Sequence, residues 1–259
     1  MTANVLCVDI GNTSSKLALV GPDRIVPVGA VSSDDLRKDP AVAGRLLTSE
    51  KSSPKGVVGV ALSSVVPPLD EPLSTVLRDA MGVEVCRIDH TSRLPFRLRV
   101  DNPASLGGDR ICAVAGAMGK RGGGAIVVDI GSAVTVDLLD RGAFWGGLIL
   151  VGPLLGLRAL GEYASRLPVI DEMSTKDAFP TRFSDTVPSM ILGANLGTVG
   201  AIKEAVRLLQ DKGSGRLRVF VTGGLAKGFV KRLPRSWVLD PNLVFKGMYR
   251  IWRLNPVWM

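Results

Sequence analysis

The chain has few of the residues from which metal clusters and disulfide frameworks are built. It contains three cysteines and one histidine in 259 residues, and no CxxC pair occurs. Three isolated cysteines argue against a disulfide framework or a zinc site and favour buried thiols in a reducing compartment. The N-terminus also lacks the basic and apolar regions of a secretory signal. These absences predict a cytoplasmic protein.

Membrane-spanning and nucleic-acid-binding patterns are missing as well. The longest apolar run, residues 142–157, is interrupted by Pro153 and several glycines, and it is shorter than the roughly 20 residues that cross a bilayer. The formal net charge is +8, but the basic residues are scattered and do not interleave with the few aromatic residues. We therefore expect neither a membrane anchor nor a nucleic-acid partner. The positive charge is interpreted as a solvated surface that favours anionic substrates.

The sequence does contain a repeated tetrapeptide. VDIG occurs at residues 8–11 and again at 128–131, each time after a run rich in Val and Ile and before a second, alternating run. Each copy predicts a hairpin with a tight turn at the glycine. Strand-like and helix-like segments alternate after both copies, which is typical of an α/β protein. The repeat predicts two similar lobes, residues 1–120 and 121–259, joined at the stretch GKRGGG.

The two VDIG turns, and a third glycine turn in VTGGLAK at residues 221–227, have the composition of nucleotide contacts. Glycine lets a phosphate approach the backbone, and successive N–H groups in a turn form an anion-binding concavity. Hydroxyl side chains, an asparagine and Lys16 follow the first copy and suit a phosphate, while Asp9 suits a phosphate-bridging metal. For either copy alone, an ordinary hairpin is the alternative. Walker A and GxGxxG motifs are absent, which excludes the P-loop and Rossmann modes of ATP binding.

The segment DNPASLGGDR, residues 101–110, also has chemical content. Asn-Pro predicts a turn, and the two glycines lead into a helix whose first turn contains Asp109. Two interpretations are open. The Asp109 carboxylate either caps the helix and complements its dipole, or it acts as general base on a substrate hydroxyl, with Arg110 binding an anion. Because the chain has a single histidine, a carboxylate is the main candidate for a base.

Seven segments, in this order, resemble the type III pantothenate kinases of the acetate and sugar kinase, Hsc70 and actin superfamily. They are VDIGNTSSK, DNPASLGGDR, VVDIGSAVTVD, GGLILVG with LRALGEYASRLP, DTVPSMILG, VTGGLAK and LVFKGMYR. The resemblance covers essentially the whole chain. It implies an α/β fold of two ribonuclease-H-like, actin-like ATPase lobes with a nucleotide cleft between them. The two VDIG turns would be the equivalent phosphate-binding hairpins of a duplicated domain.

The activity that the resemblance implies is transfer of the ATP γ-phosphate to the 4′-hydroxyl of pantothenate, the first step of coenzyme A biosynthesis. It further implies a homodimer that uses Mg²⁺ with ATP and a monovalent cation, K⁺ or NH₄⁺. Asp109 would be the catalytic base, and Asp129 would hold the monovalent cation. The residues expected to bind ATP are Asp9, Ile10, Gly11, Asn12, Thr13, Ser14, Ser15, Lys16 and Ser132. The residues expected to bind pantothenate are Val100, Gly107, Gly108, Asp109, Arg110 and Thr186.

The chain departs from the family pattern at several positions. It reads GSAVT where GTATT is usual, and LVGP where many members have PG after the GG strand. Val100 stands where some members have Tyr, and Gly108 stands where Ala or Val is common. These changes bear on pantothenate affinity and cation dependence more than on ATP binding.

Two other functions are open. One is a non-catalytic regulatory paralogue of the transcription accessory type, against which the retained Asp9, Asp109 and Asp129 argue. The other is a superfamily kinase for a different small hydroxylated substrate, in which Asp109 would keep its role.

Overall fold

The chain forms two α/β units in a computed structural model that describes residues 4–48, 56–119, 123–176 and 178–255. One unit comprises Met1–Ala117 and Asn242–Met259, and the other comprises Met118–Pro241. Residues 120–122, where the sequence predicts the boundary and half of the GKRGGG hinge, lie outside the described part, so the boundary stays a prediction. The nucleotide cleft expected between the lobes also stays a prediction. The segment 242–259, which the sequence assigns to the second lobe, groups with the first unit instead.

The helices and strands alternate along the chain. In order they are β1 (Asn4–Ile10), β2 (Ser14–Val20), β3 (Ile25–Ser32), α1 (Ser33–Lys38), α2 (Ala41–Thr48), β4 (Val57–Ser64), α3 (Pro67–Met81), β5 (Val85–Arg87), β6 (Arg97–Leu98), α4 (Gly108–Ala117), β7 (Ala125–Ile130), β8 (Ala133–Asp140), β9 (Ala143–Val151), α5 (Pro153–Tyr163), α6 (Thr186–Lys212), β10 (Arg218–Thr222), α7 (Ala226–Phe229), β11 (Val238–Leu239) and α8 (Leu243–Leu254). Short 3₁₀ turns occupy Pro103–Ser105 and Val230–Arg232.

The two units repeat one sheet topology. The strand order is β3-β2-β1-β4-β5 in the first unit and β9-β8-β7-β10-β11 in the second. In each, the first strand forms an antiparallel hairpin with the second and runs parallel to the fourth. Both VDIG hairpins and the duplicated α/β fold predicted from the sequence are therefore confirmed. The central strands β1 and β7 are apolar almost throughout because neighbours cover both of their faces.

A single long helix covers one face of the second sheet. The sequence leaves open whether residues 186–212 form one helix or two, and the structure has one helix, α6, of 27 residues. Its apolar side chains Val199, Ile202 and Val206 pack against β7 residues such as Val128. The glycines of α6 lie on its exposed side. Packing of the apolar stripe against the sheet therefore stabilises the helix although glycine disfavours helical backbone.

The C-terminal helix α8 belongs to the first unit because it crosses α4 at backbone contact. A Cβ placed on Gly247 would collide with the carbonyl oxygen of Cys112, and one on Gly116 would collide with that of Leu243. Arg250 Nη1 also donates to the carbonyl oxygen of Ala115 at 2.7 Å. Hydrophobic patterning did not reveal this packing, since it depends on glycines far apart in the sequence.

The cysteines and helices bear on two further expectations. Cys7, Cys86 and Cys112 are free and buried, which confirms their prediction as buried thiols. Among the helices of the described residues, none combines the length and apolarity needed to span a bilayer.

Candidate active site

The first VDIG turn joins β1 to β2 and needs glycine at its first position. A Cβ on Gly11 would lie 2.8 Å from the carbonyl oxygen of Ser14, which is closer than side chains normally approach. Asn12, Thr13 and Ser14 are exposed, whereas Ile10 is buried. The predicted ATP-binding residues thus divide into an exposed turn and a buried strand end. Because the side chain of Ile10 is buried, only its backbone groups are candidates for contact with ATP.

The start of α1 holds this turn in place. Ser33 Oγ donates to the carbonyl oxygen of Gly11 at 2.6 Å, and the Ser33 N–H donates to that of Thr13 at 3.0 Å. Arg37 Nη2 donates to the carbonyl oxygen of Asn12 at 3.2 Å. Three successive carbonyl groups of the turn therefore bind α1. Sequence analysis missed Ser33 and Arg37 because no motif marks them.

Ser15, which the sequence assigns to ATP binding, is oriented towards this support. It is completely buried, and its hydroxyl lies 3.0 Å from that of Ser33, which is also completely buried. In this structure the Ser15 hydroxyl therefore supports the turn through Ser33. The exposed hydroxyl groups that remain as candidates for ATP contact are those of Thr13 and Ser14.

A row of polar side chains crosses the first sheet at the end next to the turn. Asp9 on β1 is in register with Lys16 on β2 and with Ser63 on β4. Residues in register on neighbouring strands present their side chains on the same face of a sheet. The row therefore places a carboxylate between an ammonium group and a hydroxyl group. Ser63 was not recognised from the sequence.

Asp109 lies in the first turn of α4, with its carboxylate held by the backbone. The Arg110 N–H donates to Asp109 Oδ1 at 2.7 Å. Burial raises the pKa of the Asp109 carboxyl, and the N–H group and charge of Arg110 oppose that rise. The contact is one that stabilises a helix N-terminus, while a carboxyl whose pKa is raised by burial is typical of catalytic sites. The two interpretations of Asp109 are thus compatible.

Two glycines at the start of α4 leave room for close contacts, one with the backbone of Ile88 and one with the Asp109 carboxylate. A Cβ on Gly108 would lie 2.8 Å from the carbonyl oxygen of Ile88, and one on Gly107 would lie 2.5 Å from Asp109 Oδ1. A side chain at position 108 would therefore collide with the Ile88 backbone, which is a physical reason for glycine here.

The second VDIG turn is surrounded by other glycine segments of its own unit. Asp129 ends β7 half-buried, and Ser132 is exposed. Gly223 has φ of 104°, and a Cβ there would collide with Asp129 Oδ1. A Cβ on Gly152 would collide with the carbonyl oxygen of Ser132. The VTGGLAK turn and the LVGP segment therefore both pack on the Asp129–Ser132 turn, and the sequence had not predicted the contact of Gly152.

The remaining predicted residues lie in loops and at a helix start. Val100 is half-buried after β6 in the first unit, together with the segment that leads to Asp109. Thr186 is the first residue of α6 in the second unit and is exposed.

The carboxylates suit a metal that is shared with a ligand. Among the described residues, no group of three or more His, Cys, Asp or Glu side chains is arranged to hold a metal ion. Magnesium in kinases is usually held by one or two carboxylates, with phosphates and water as the other ligands. The half-buried Asp9 beside the glycine turn fits that arrangement, and Asp129 offers the oxygen ligands that an alkali cation prefers.

The solved structures that resemble the chain define its class. A protein of Campylobacter jejuni described as a Baf family transcriptional activator has a TM-score of 0.61 at 20% identity, over 97% of this chain and 98% of that one. MreB 5 of Spiroplasma citri, bound to AMPPNP, has a TM-score of 0.54 at 12% identity, over 97% and 96%. At these identities the likeness shows the fold alone. With two units of one topology, each carrying a VDIG hairpin, the protein has the fold of the actin-like ATPases.

The family follows from sequence comparison. The profile of the family described as type III pantothenate kinase matches residues 5–208. A type III pantothenate kinase of Thermus thermophilus is 30% identical over 95% of this chain and 98% of its own length. One from Dehalococcoides mccartyi is 29% identical over 98% and 99%. The chain belongs to the type III pantothenate kinase family, as the seven motifs predict.

Proposed function

We propose that this protein phosphorylates the 4′-hydroxyl of pantothenate with ATP, giving 4′-phosphopantothenate in the first step of coenzyme A biosynthesis. Membership of a family of kinases supports this function. The observation that carries it is the half-buried Asp109 carboxylate, held at the start of α4 by the Arg110 N–H and with its pKa raised. The nucleotide bound to the structurally similar MreB 5 supports an adenine nucleotide as phosphoryl donor.

Asp109 is the general base of this proposal. Its ionised carboxylate accepts the proton of the pantothenate hydroxyl as that oxygen attacks phosphorus. Burial raises its pKa towards the working pH and makes it a stronger proton acceptor. The hydrogen bond from the Arg110 N–H fixes the direction of the carboxylate. Phosphoryl transfer depends mainly on such positioning and on charge neutralisation.

The first hairpin turn and Ser132 bind ATP. The exposed N–H and hydroxyl groups of residues 11–14 suit phosphate oxygens, and Lys16 supplies a positive charge. Asp9 would hold Mg²⁺. When bound, Mg²⁺ neutralises the charge that develops on the phosphate oxygens. The hydrogen bonds from Ser33 and Arg37 keep the turn preorganised for this contact.

Pantothenate binding and the monovalent cation complete the site. We assign the substrate to Val100, Gly107, Gly108, Arg110 and Thr186, with the guanidinium of Arg110 suited to the pantothenate carboxylate. Asp129 would hold K⁺ or NH₄⁺, whose charge supports nucleotide binding. The packing of Gly223 against Asp129 fixes that carboxylate for the role.

The partner that we propose is a second copy of the chain. Trp145, Ile149 and Val151 on β9 are 51%, 65% and 63% exposed, and Leu155 and Tyr163 on α5 are 50% and 83% exposed. Trp145, Ile149 and Val151 lie at alternate positions of β9 and therefore on one face of it, and α5 follows after one residue. Exposed apolar patches of this kind mark protein interfaces, and a two-fold dimer would cover the patch with its own copy. We place the enzyme in the cytoplasm, where its three free thiols stay reduced.

The test is an ADP-release assay with purified protein, ATP, Mg²⁺ and K⁺, run with and without pantothenate and repeated with Na⁺ in place of K⁺. We expect pantothenate-dependent ADP release that falls when Na⁺ replaces K⁺. ADP release with another hydroxylated compound, and none with pantothenate, would show that the enzyme acts on a different substrate. If the folded protein turned over no ATP but bound duplex DNA in a salt-sensitive way, a regulatory function would be supported in place of kinase activity.

A further inference from the structure

Ser63 carries a buried hydroxyl group that the fold does not use. The residue is completely buried, and Ser63 Oγ has no nitrogen or oxygen partner among the described residues. Its polar neighbour is the thiol of Cys112. Burial raises the pKa of that thiol, the Asp9 carboxylate adds to the rise, and the Ser63 hydroxyl opposes it. A thiol is only a weak hydrogen-bonding group. Since an unsatisfied buried hydroxyl lowers stability, packing alone would favour alanine here.

The position of Ser63 points to the metal-binding carboxylate. Ser63 on β4 is in register with Asp9 on β1, and the two strands run parallel. Neighbouring strands lie about 4.8 Å apart, so the two side chains are adjacent on one face of the sheet. Rotation about one side-chain bond brings a serine hydroxyl towards such a neighbour.

The start of α4 closes the other side of Ser63. A Cβ on Gly108 would lie 3.3 Å from Ser63 Oγ. The hydroxyl is therefore enclosed between Asp9 and the helix turn that carries Asp109. Because Ser63 Oγ has no access to solvent, it reaches a bound nucleotide only through another residue.

We propose that Ser63 is a positioning residue that donates a hydrogen bond to the Asp9 carboxylate when Mg²⁺ and ATP bind, and so holds that carboxylate in its metal-binding orientation. This inference rests on the proposed function, in which Asp9 holds Mg²⁺. Carboxylates that bind metals are normally hydrogen-bonded by a second residue, and loss of that residue typically weakens metal affinity or activity about 10- to 100-fold.

Ser63→Ala tests the proposal, and Ser74→Ala is the matched control. Ser74 is also a buried serine of the first unit, but its hydroxyl donates to the carbonyl oxygen of Asp70 at 2.7 Å. Calorimetry would measure ATP affinity with Mg²⁺ and with EDTA, thermal unfolding would measure stability, and steady-state kinetics would separate kcat from the KM for pantothenate.

For Ser63→Ala we expect a melting temperature equal to or above that of the wild type, because the hydroxyl gives up only its weak contact with the Cys112 thiol. We expect ATP affinity to fall about 10- to 100-fold with Mg²⁺ and to stay unchanged with EDTA. The KM for pantothenate should stay the same. Ser74→Ala should melt at a lower temperature and keep its Mg²⁺-dependent affinity.

Two results would overturn the proposal. Wild-type affinity for ATP with Mg²⁺ in Ser63→Ala would show that Asp9 does not need the hydroxyl. A lower melting temperature, with equal loss of affinity in Mg²⁺ and EDTA, would show that Ser63 only packs. Wild-type protein that binds ATP with Mg²⁺ but releases no ADP with pantothenate would contradict the proposed function, while the binding data would still decide the role of Ser63.

Discussion

At the scale of single residues, the environment of the proposed catalytic base Asp109 lowers the stability of the folded protein when the carboxyl group is ionised. Asp109 is a carboxylate whose pKa is raised by burial, so the folded protein resists its ionisation. The stability contribution of such a group is complete below the pKa of the unfolded chain, about 3.9 for Asp, and is lost as the pH rises through the higher folded-state pKa. Ionisation of Asp109 therefore lowers the stability of the folded protein as the pH rises.

We expect Asp109→Asn to lose about 10²- to 10⁴-fold in turnover, since the proton acceptor is removed. The same variant should melt at a higher temperature than the wild type at neutral pH, and the difference should shrink as the pH is lowered towards 4. Activity assays and thermal melts over pH 4–8 measure both effects. Asp101→Asn, an exposed acid in the same motif, should change neither. Comparable turnover in Asp109→Asn would remove it from the base role.

Gly223 is a second residue at which the surroundings of the second VDIG turn leave no room for a side chain. We expect Gly223→Ala to lower stability by more than the about 1–2 kcal/mol of left-handed backbone strain, because the new methyl group collides with Asp129 Oδ1 and with the backbone N and O of Ile130. It should also reduce K⁺ stimulation. Gly142→Ala is the control: its φ is 68°, and a Cβ there meets nothing within 4 Å. Chemical denaturation compares the two, and equal losses would show that neither Asp129 nor the Ile130 backbone restricts position 223.

At the scale of helices and strands, contacts between backbones explain what side-chain patterns did not. The first turn is fixed by α1, whose Ser33 and Arg37 bind its carbonyl groups. In the same way, α8 belongs to the first unit because glycines let it approach α4 closely.

The crossing of α4 and α8 yields a prediction about stability. We expect Gly247→Ala to destabilise the protein strongly, because its methyl group collides with the Cys112 carbonyl oxygen. Gly193→Ala, on the exposed side of α6 where a Cβ meets nothing within 4 Å, should instead stabilise it by about 0.4–1 kcal/mol. Urea unfolding of both variants checks the comparison. A stabilised Gly247→Ala would contradict the observed crossing.

At the scale of the whole molecule, the exposed apolar patch on β9 and α5 predicts self-association. We expect Ile149→Lys to shift the protein from dimer to monomer, because an ammonium group would be buried at the centre of the interface. Analytical ultracentrifugation measures the change. Val26→Lys, at an exposed apolar position on β3 of the first unit, is the control and should stay dimeric. A monomeric wild type would refute the dimer.

Local pattern was enough to predict both VDIG hairpins and the α/β class, while the family was predicted from the resemblance of seven segments along the whole chain. Alternating and continuous apolar runs specify strands, and glycine at a strand end specifies the turn, so residues such as Asp9 and Asp129 were located at strand ends from sequence. Ser33, Arg37 and Ser63 were missed because their importance lies in what they contact. Ser15 shows the same limit, since its hydroxyl seemed fit for a phosphate but lies buried against Ser33.

The sequence by itself determined the two VDIG hairpins, the glycine turns and the chemical identity of the three candidate carboxylates, because each depends on neighbours along the chain. Only the tertiary structure decided that α8 joins the first unit, that Gly223 and Gly152 enclose the second turn, and that Ser63 lies beside Asp9. These depend on close approach between segments far apart in sequence, where a backbone oxygen or a missing Cβ matters more than the type of side chain.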